Sequence, residues 1–184
     1  GITVILADYT EEPVAKSYAD FFYRESTLDI EAIEKIARDE NVDFLLTACT
    51  DQALLTMAYV SEKLKLPCYL DYKTALSVTN KEHMKRVFSE NGISTANYVI
   101  LNSFDASALE CLKYPLIVKP VDCNSSKGVR KVQTETELRE ALDKALGYSR
   151  TQTAIVEEFI GGEEVSVDAY IEDGVAKIWT SPCK

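Results

Sequence analysis

The chain is short of the residues that several familiar chemistries require. Its 184 residues include one histidine, His83, one tryptophan, seven glycines and five prolines. A single imidazole leaves little from which to build a Ser-His-Asp arrangement or a Cys/His metal cluster, and low Gly and Pro content argues against fibrous and low-complexity chains. The five cysteines (Cys49, Cys68, Cys111, Cys123, Cys183) are odd in number and scattered, without a Cys-x-x-Cys pair. That pattern suits reduced thiols better than a disulfide framework or a zinc site. No apolar run approaches the roughly 20 residues needed to cross a bilayer, and no signal peptide is visible, so a cytoplasmic protein without a membrane partner is expected. Lys and Arg total 20 against 30 Asp and Glu, a formal charge of −10. This balance is the reverse of a nucleic-acid footprint. A polyanion would have to be met locally, by Lys81, Lys119 and Lys127.

What the chain does have is ordered apolar patterning. Ile2 to Ala7 and Val42 to Ala48 read as buried strands, Phe21 to Tyr23 as a weaker one, and Cys68 to Leu70 as the start of another. Between them, Asp29 to Glu40 places Ile30, Ile33, Ile36 and Ala37 on one helical face with Asp29 as N-cap, and Asp51 to Leu64 forms a second helix that Pro67 stops. This alternation predicts a parallel sheet covered by helices. After Tyr72 the pattern changes. Thr79-Asn80-Lys81-Glu82 reads as a capping box opening a helix to Asn91, closed by Gly92. Strands are expected at 98–101, 116–118, 129–133, 154–160, 165–171 and 175–179, with a helix opened by Thr134 and a hairpin turn at Glu172-Asp173-Gly174. This half reads as α+β. The divisions are 1–73 for the parallel unit, 74–100 for a helical connector, and 101–184 for the smaller unit.

Two segments carry charge where a packed strand would want none. Tyr114-Pro115-Leu116-Ile117-Val118-Lys119-Pro120 ends in a lysine whose backbone Pro120 biases toward extended geometry, so the amine is aimed. Taken alone, Lys119 reads as a strand-end lysine reaching water. Val156-Glu157-Glu158-Phe159 places adjacent carboxylates on opposite faces of a strand, so the inward one needs a donor, such as a lysine or an adenine amino group. Solvated charges flanking a turn remain the equal alternative. Asp122 to Val129 is a small polar loop whose N–H groups could cradle phosphate, or an ordinary hairpin turn; it is not a Walker loop. Lys81 occupies a first helical turn, where a cation is disfavoured unless an anion sits nearby.

In order and spacing these segments resemble the ATP-grasp family, closest to its carbamoyl-phosphate-synthase-like and amino-acid-ligase-like bacterial members. The likeness runs over nearly the whole chain. Residues 2–70 resemble the later part of a Rossmann-like preceding domain, and Asn80-Lys81 with Lys85 and Asn91-Gly92-Ile93 resembles the family's Asp-Lys…Gly-Ile-Pro segment, with Asn80 for Asp and Ser94 for Pro. The resemblance implies a Rossmann-like parallel sheet followed by a smaller α+β ATP-grasp lid. It implies that Lys81 and Lys119 contact ATP phosphates and that the loop with Ser125, Ser126 and Gly128 closes over them, although Ser125 stands where glycine is typical. Glu157 would accept from the adenine amino group, backbone groups of Glu158 and Ile160 would complete the ring contacts, and Glu164 would hold the ribose. It further implies a carboxylate–amine or carboxylate–thiol ligase working through an acyl phosphate, with a small carboxylate substrate and Mg²⁺ ligands beyond Lys184. The 184-residue chain is then expected not to turn over ATP by itself. The alternatives are a non-catalytic nucleotide- or partner-binding module, and a Rossmann-type domain with no ATP role.

Overall fold

In the structure, a computed structural model, residues 1–48, 50–124 and 126–180 are described, with the backbone alone at 179 and 180. The first strand, β1 (Ile5–Ala7), pairs in parallel with β2 (Phe21–Tyr23), Ile5 opposite Phe21. Helix α1 (Ile30–Asp39) follows, its N-cap Asp29 accepting from the Ala32 N–H at 3.0 Å as the sequence predicts. Helix α2 (Asp51–Leu64) buries Ala53, Met57, Ala58 and Val60. Among the described residues the expected strands at 42–48 and 68–70 do not form; Phe44 and Leu46 are 46% and 73% exposed. Propensity alone does not make a strand, because its backbone groups need a ladder partner. Among the described residues the two segments form no ladder, and the Tyr69 hydroxyl donates to the Thr47 carbonyl at 3.2 Å.

Helices α3 (Tyr72–Thr79) and α4 (Lys81–Glu90) meet at Asn80. The sequence reading placed the cap at Thr79, but Asn80 is the N-cap, accepting from the N–H groups of Glu82 and His83, and the Thr79 hydroxyl donates instead to the Ala75 carbonyl within α3. Helix α3 was not anticipated, because its weak apolar stripe is punctuated by Ser and Thr.

The second half is built around one antiparallel sheet. Its strands are β3 (Tyr98–Leu101), β4 (Leu116–Pro120), β5 (Arg130–Val132) and β6 (Ala154–Glu158), in the order β3-β6-β4-β5. A short helix, α5 (Ala106–Leu109), lies between β3 and β4, and α6 (Glu135–Tyr148) between β5 and β6. The N-cap of α6 forms as expected, Thr134 accepting from the Glu137 N–H, while the Glu137 carboxylate reaches one residue further back than a capping box requires, to the Gln133 N–H at 2.7 Å. Leu138, Ala141, Leu142 and Ala145 of α6 pack on Leu101, Leu116, Val118, Val132 and Val156, which alternate along their strands toward the helix. Each of the larger side chains stabilises the fold by about 1.5–3 kcal/mol relative to exposure. The chain closes with the antiparallel hairpin β7 (Val167–Glu172) and β8 (Val175–Thr180), turned by Asp173 and Gly174, both at positive φ. No helix among the described residues is long and apolar enough to cross a membrane.

Candidate functional site

Strand alternation that buries Leu116, Val118 and Val156 against α6 necessarily turns Ile117, Lys119, Ile155 and Glu157 to the opposite face. Register then decides which of these meet. Ile117 stands opposite Glu157 and Lys119 opposite Ile155, so Lys119 and Glu157 are diagonal neighbours across the β4–β6 ladder. The Lys119 ammonium donates to Glu157 Oε1. On the other side Glu157 Oε2 lies 2.9 Å from the ammonium of Lys85, which reaches down from α4. At that distance a freely rotating ammonium pairs with the carboxylate oxygen, so Glu157 is bridged by Lys119 on one side and Lys85 on the other. Lys85 also donates to the Thr95 hydroxyl and sits 5.3 Å from the centre of the Tyr98 ring. Burial pushes the Glu157 carboxyl up, but the ammonium groups of Lys119 and Lys85 outweigh it and hold the group below its ordinary value.

Lys81 is the first residue of α4 and is tied to the sheet's end twice. Its N–H donates to the Val121 carbonyl at 2.8 Å, and its ammonium to the Cys123 carbonyl at 2.6 Å. Burial and the nearby charge of Lys119 lower its pKa. Two cations are therefore held close together beside the loop that follows β4. Gly128 in that loop has φ +74°, and a Cβ there would lie 2.8 Å from Tyr148 Cδ2 and 2.9 Å from Pro120 Cγ. Only glycine fits both the backbone and the space. Ser126 also has positive φ, at 56°. Ser125 lies outside the described residues.

The loop is anchored at its start. Asp122, 6% exposed, accepts from the Arg150 N–H through Oδ2 at 3.0 Å, and its carbonyl accepts from Gln52 Nε2 at 3.0 Å. Asn124 Nδ2 donates to Asp51 Oδ2 at 2.9 Å, so the first turn of α2 touches the loop at two points.

Glu158 is occupied structurally. Its carboxylate accepts from the Lys113 N–H at 2.9 Å and from Asn97 Nδ2 at 3.0 Å, and its own N–H donates to the Asn97 carbonyl. Ile160 is exposed and, with Lys85, Thr95, Ala96, Ile117, Glu157 and Phe159, lines an open cleft of about 430 Å³. A cleft of that size accommodates a flat heterocycle. Glu164 is exposed and makes no hydrogen bond or ion pair among the described residues. The structure thus gathers Lys81, Lys119 and Glu157, sets Ile160 on the cleft wall, and gives Glu158 a clip between β6 and the segment before β3. The roles of Lys85 and Thr95 were missed. The i, i+4 spacing of Lys81 and Lys85 on α4 was the available signal, since it puts both ammoniums on one helix face. Among the described residues no group of three or more His, Cys, Asp or Glu side chains could hold a metal ion.

An antiparallel sheet with a helix on one face and a lysine-flanked cleft on the other, joined to a glycine-bearing loop, is the architecture of an ATP-grasp module. The fold is shared with the L-amino acid ligase from Bacillus licheniformis (TM-score 0.76, 22% identity, 96% of this chain and 43% of that one). An ADP complex of N5-carboxyaminoimidazole ribonucleotide synthetase superposes similarly (TM-score 0.75, 20% identity, 96% and 46%). In sequence the chain is 30% identical over 167 residues to the formate-dependent phosphoribosylglycinamide formyltransferase of Corynebacterium efficiens, covering 87% of this chain and 41% of that protein. Residues 87–181 match the family model described as D-ala D-ala ligase C-terminus, and the chain belongs to that family. It spans about two-fifths of the length of the formyltransferases it matches.

Proposed function

We propose that this chain is the ATP-binding portion of a carboxylate–amine or carboxylate–thiol ligase that activates its acid as an acyl phosphate. The observation that carries the reading is Glu157: a buried carboxylate held ionised by Lys119 and Lys85, on the wall of a cleft sized for a heterocycle, with Lys81 close by. Each carboxylate oxygen keeps a further lone pair that an incoming N–H donor can use. The exocyclic amino group of adenine supplies that donor, while Lys119 and Lys81 meet the phosphates and the loop around Ser125, Ser126 and Gly128 closes over them. Backbone groups of Glu158 and Ile160 are proposed for the remaining ring edge and Glu164 for the ribose. Mg²⁺ is proposed to arrive with the triphosphate. The relatives are named for formate and amino-acid substrates, each of which brings a carboxylate, and a small carboxylate is the proposed acid here.

Calorimetric titration of the 184-residue chain with ATP, inorganic tripolyphosphate and adenosine tests the reading. ATP is expected to bind more tightly than either part; absence of ATP binding at millimolar concentration would refute it. A binding-only role for this chain is the alternative reading. Phosphate release from ATP, in the presence of mixed carboxylates and amines, separates the two roles. No release above background is expected from the chain alone, and sustained turnover would discard the binding-only reading.

A further inference from the structure

Glu157 faces two principal cations of unequal freedom. Lys119 sits at the end of β4 next to the loop, its ammonium bonded to Glu157, and it is close enough to Lys81 for their like charges to interact. Lys85 is 8% exposed and held from three sides, by the Thr95 hydroxyl, the Tyr98 ring and Glu157 Oε2. Phosphates arriving between Lys81 and Lys119 would compete with Glu157 for the Lys119 ammonium. The carboxylate would then lose its nearer cation just as a base enters the cleft, and burial favours the protonated acid. We propose that Lys85 is the fixed counter-ion that keeps Glu157 ionised in the nucleotide-bound state, and so is the positioning residue that sets preference for a 6-amino over a 6-oxo purine. This inference rests on the nucleotide reading above.

The chemistry follows from the charge state. An ionised carboxylate is an acceptor only. It takes a hydrogen bond from the 6-amino group of adenine and meets the O6 acceptor of guanine as a like partner. A protonated carboxyl carries an O–H that donates to O6. Protonating Glu157 therefore moves selectivity from adenine toward guanine. The other groups around it are Lys119 from β4, Lys85 and Lys81 from α4, and Tyr98, its register partner on β3. His83, also on α4, pairs with Arg86 at 2.7 Å and is not part of this cluster.

The test is the ratio of GTP to ATP dissociation constants for the 184-residue chain, measured by calorimetry between about pH 5.5 and about pH 8. The triphosphate's own titration cancels in that ratio, and His83→Gln controls for the imidazole. In the native sequence the ratio is expected to stay flat. In Lys85→Met it is expected to fall roughly ten-fold toward the acid end, the loss of one hydrogen bond to a charged group. Lys85→Arg is expected to restore the flat profile. A folded Lys85→Met chain whose ratio stays flat, or which weakens ATP and GTP equally at every pH, would overturn the role of Lys85 while leaving the nucleotide site standing. If Lys85→Met does not fold, Thr95→Val frees the ammonium without removing it. A smaller fall of the same sign is then expected, and a flat ratio would overturn the proposal. Failure of the native chain to bind either nucleotide would instead strike the site itself.

Discussion

Replacing Lys119 with methionine keeps the stem of the side chain and removes only the ammonium, so two separate quantities change. The first is stability. Glu157 is 8% exposed and would keep Lys85 as partner, whereas breaking a fully buried pair costs about 3–5 kcal/mol. Lys119 retains a path to water, with its side chain 22% exposed, and the surviving contact with Lys85 limits the damage further. A loss of about 1–2 kcal/mol at neutral pH is expected. The pH dependence has a definite sign. Glu157 is held below its ordinary value of 4.5, so its contribution is present above that value and is lost as pH falls through the lower folded one. Lys119→Met removes part of the support, which shifts this loss upward in pH. The second quantity is affinity. A charge-assisted contact to phosphate is worth about 1.5–3 kcal/mol, and the contact with Glu157 that must first be given up places the effect at the lower end, about ten-fold in ATP affinity. Urea melts from about pH 3 to about pH 7 read the first, and calorimetric titration with ATP and adenosine reads the second. Unchanged ATP affinity in a folded Lys119→Met chain, or an equal loss for adenosine, would refute the assignment of Lys119 to phosphate.

Gly128→Ala is expected to destabilise by about 1–3 kcal/mol in urea denaturation, because φ +74° and the approach of Pro120 and Tyr148 leave no room for a methyl group. Leu142→Ala empties the centre of the α6–sheet core and is expected to cost about 2–5 kcal/mol, with nucleotide binding lost only in proportion to unfolding. Glu158→Gln is expected to leave ATP affinity within about two-fold, since that carboxylate serves Lys113 and Asn97, and a ten-fold loss would return Glu158 to the ligand.

Most of the second half was legible because its signals are local. The Thr134 cap, the Asp173–Gly174 turn and the alternation along β4 each fix geometry within a few residues, and each appears where the sequence puts it. The segments at 42–48 and 68–70 misled because their composition reports only a preference for extended backbone, whereas a ladder depends on an edge elsewhere. The site divides along the same line. Alternation alone says that one of Glu157 and Glu158 must turn inward and find a donor. It does not say which one, because that depends on which face α6 covers, and α6 lies between β5 and β6 in the chain.

The counter-ions of Glu157 show where local reading ends. Lys119 is 38 residues from its partner and reaches it only because antiparallel register sets Ile117, not Lys119, opposite Glu157. A one-residue slip of β4 would turn Lys119 toward α6 and unpair the carboxylate, so the ion pair and the hydrophobic core demand the same register. Lys85 comes from a helix whose own pattern marks it only as a cation one turn beyond Lys81. Its burial beside Thr95 and Tyr98 arises from how α4 meets the sheet, through the Lys81 N–H on the Val121 carbonyl. That bond and the Lys81 ammonium on the Cys123 carbonyl tie the start of α4 to the end of the sheet. With the start of α4 held there, the lysine one turn on falls level with Glu157.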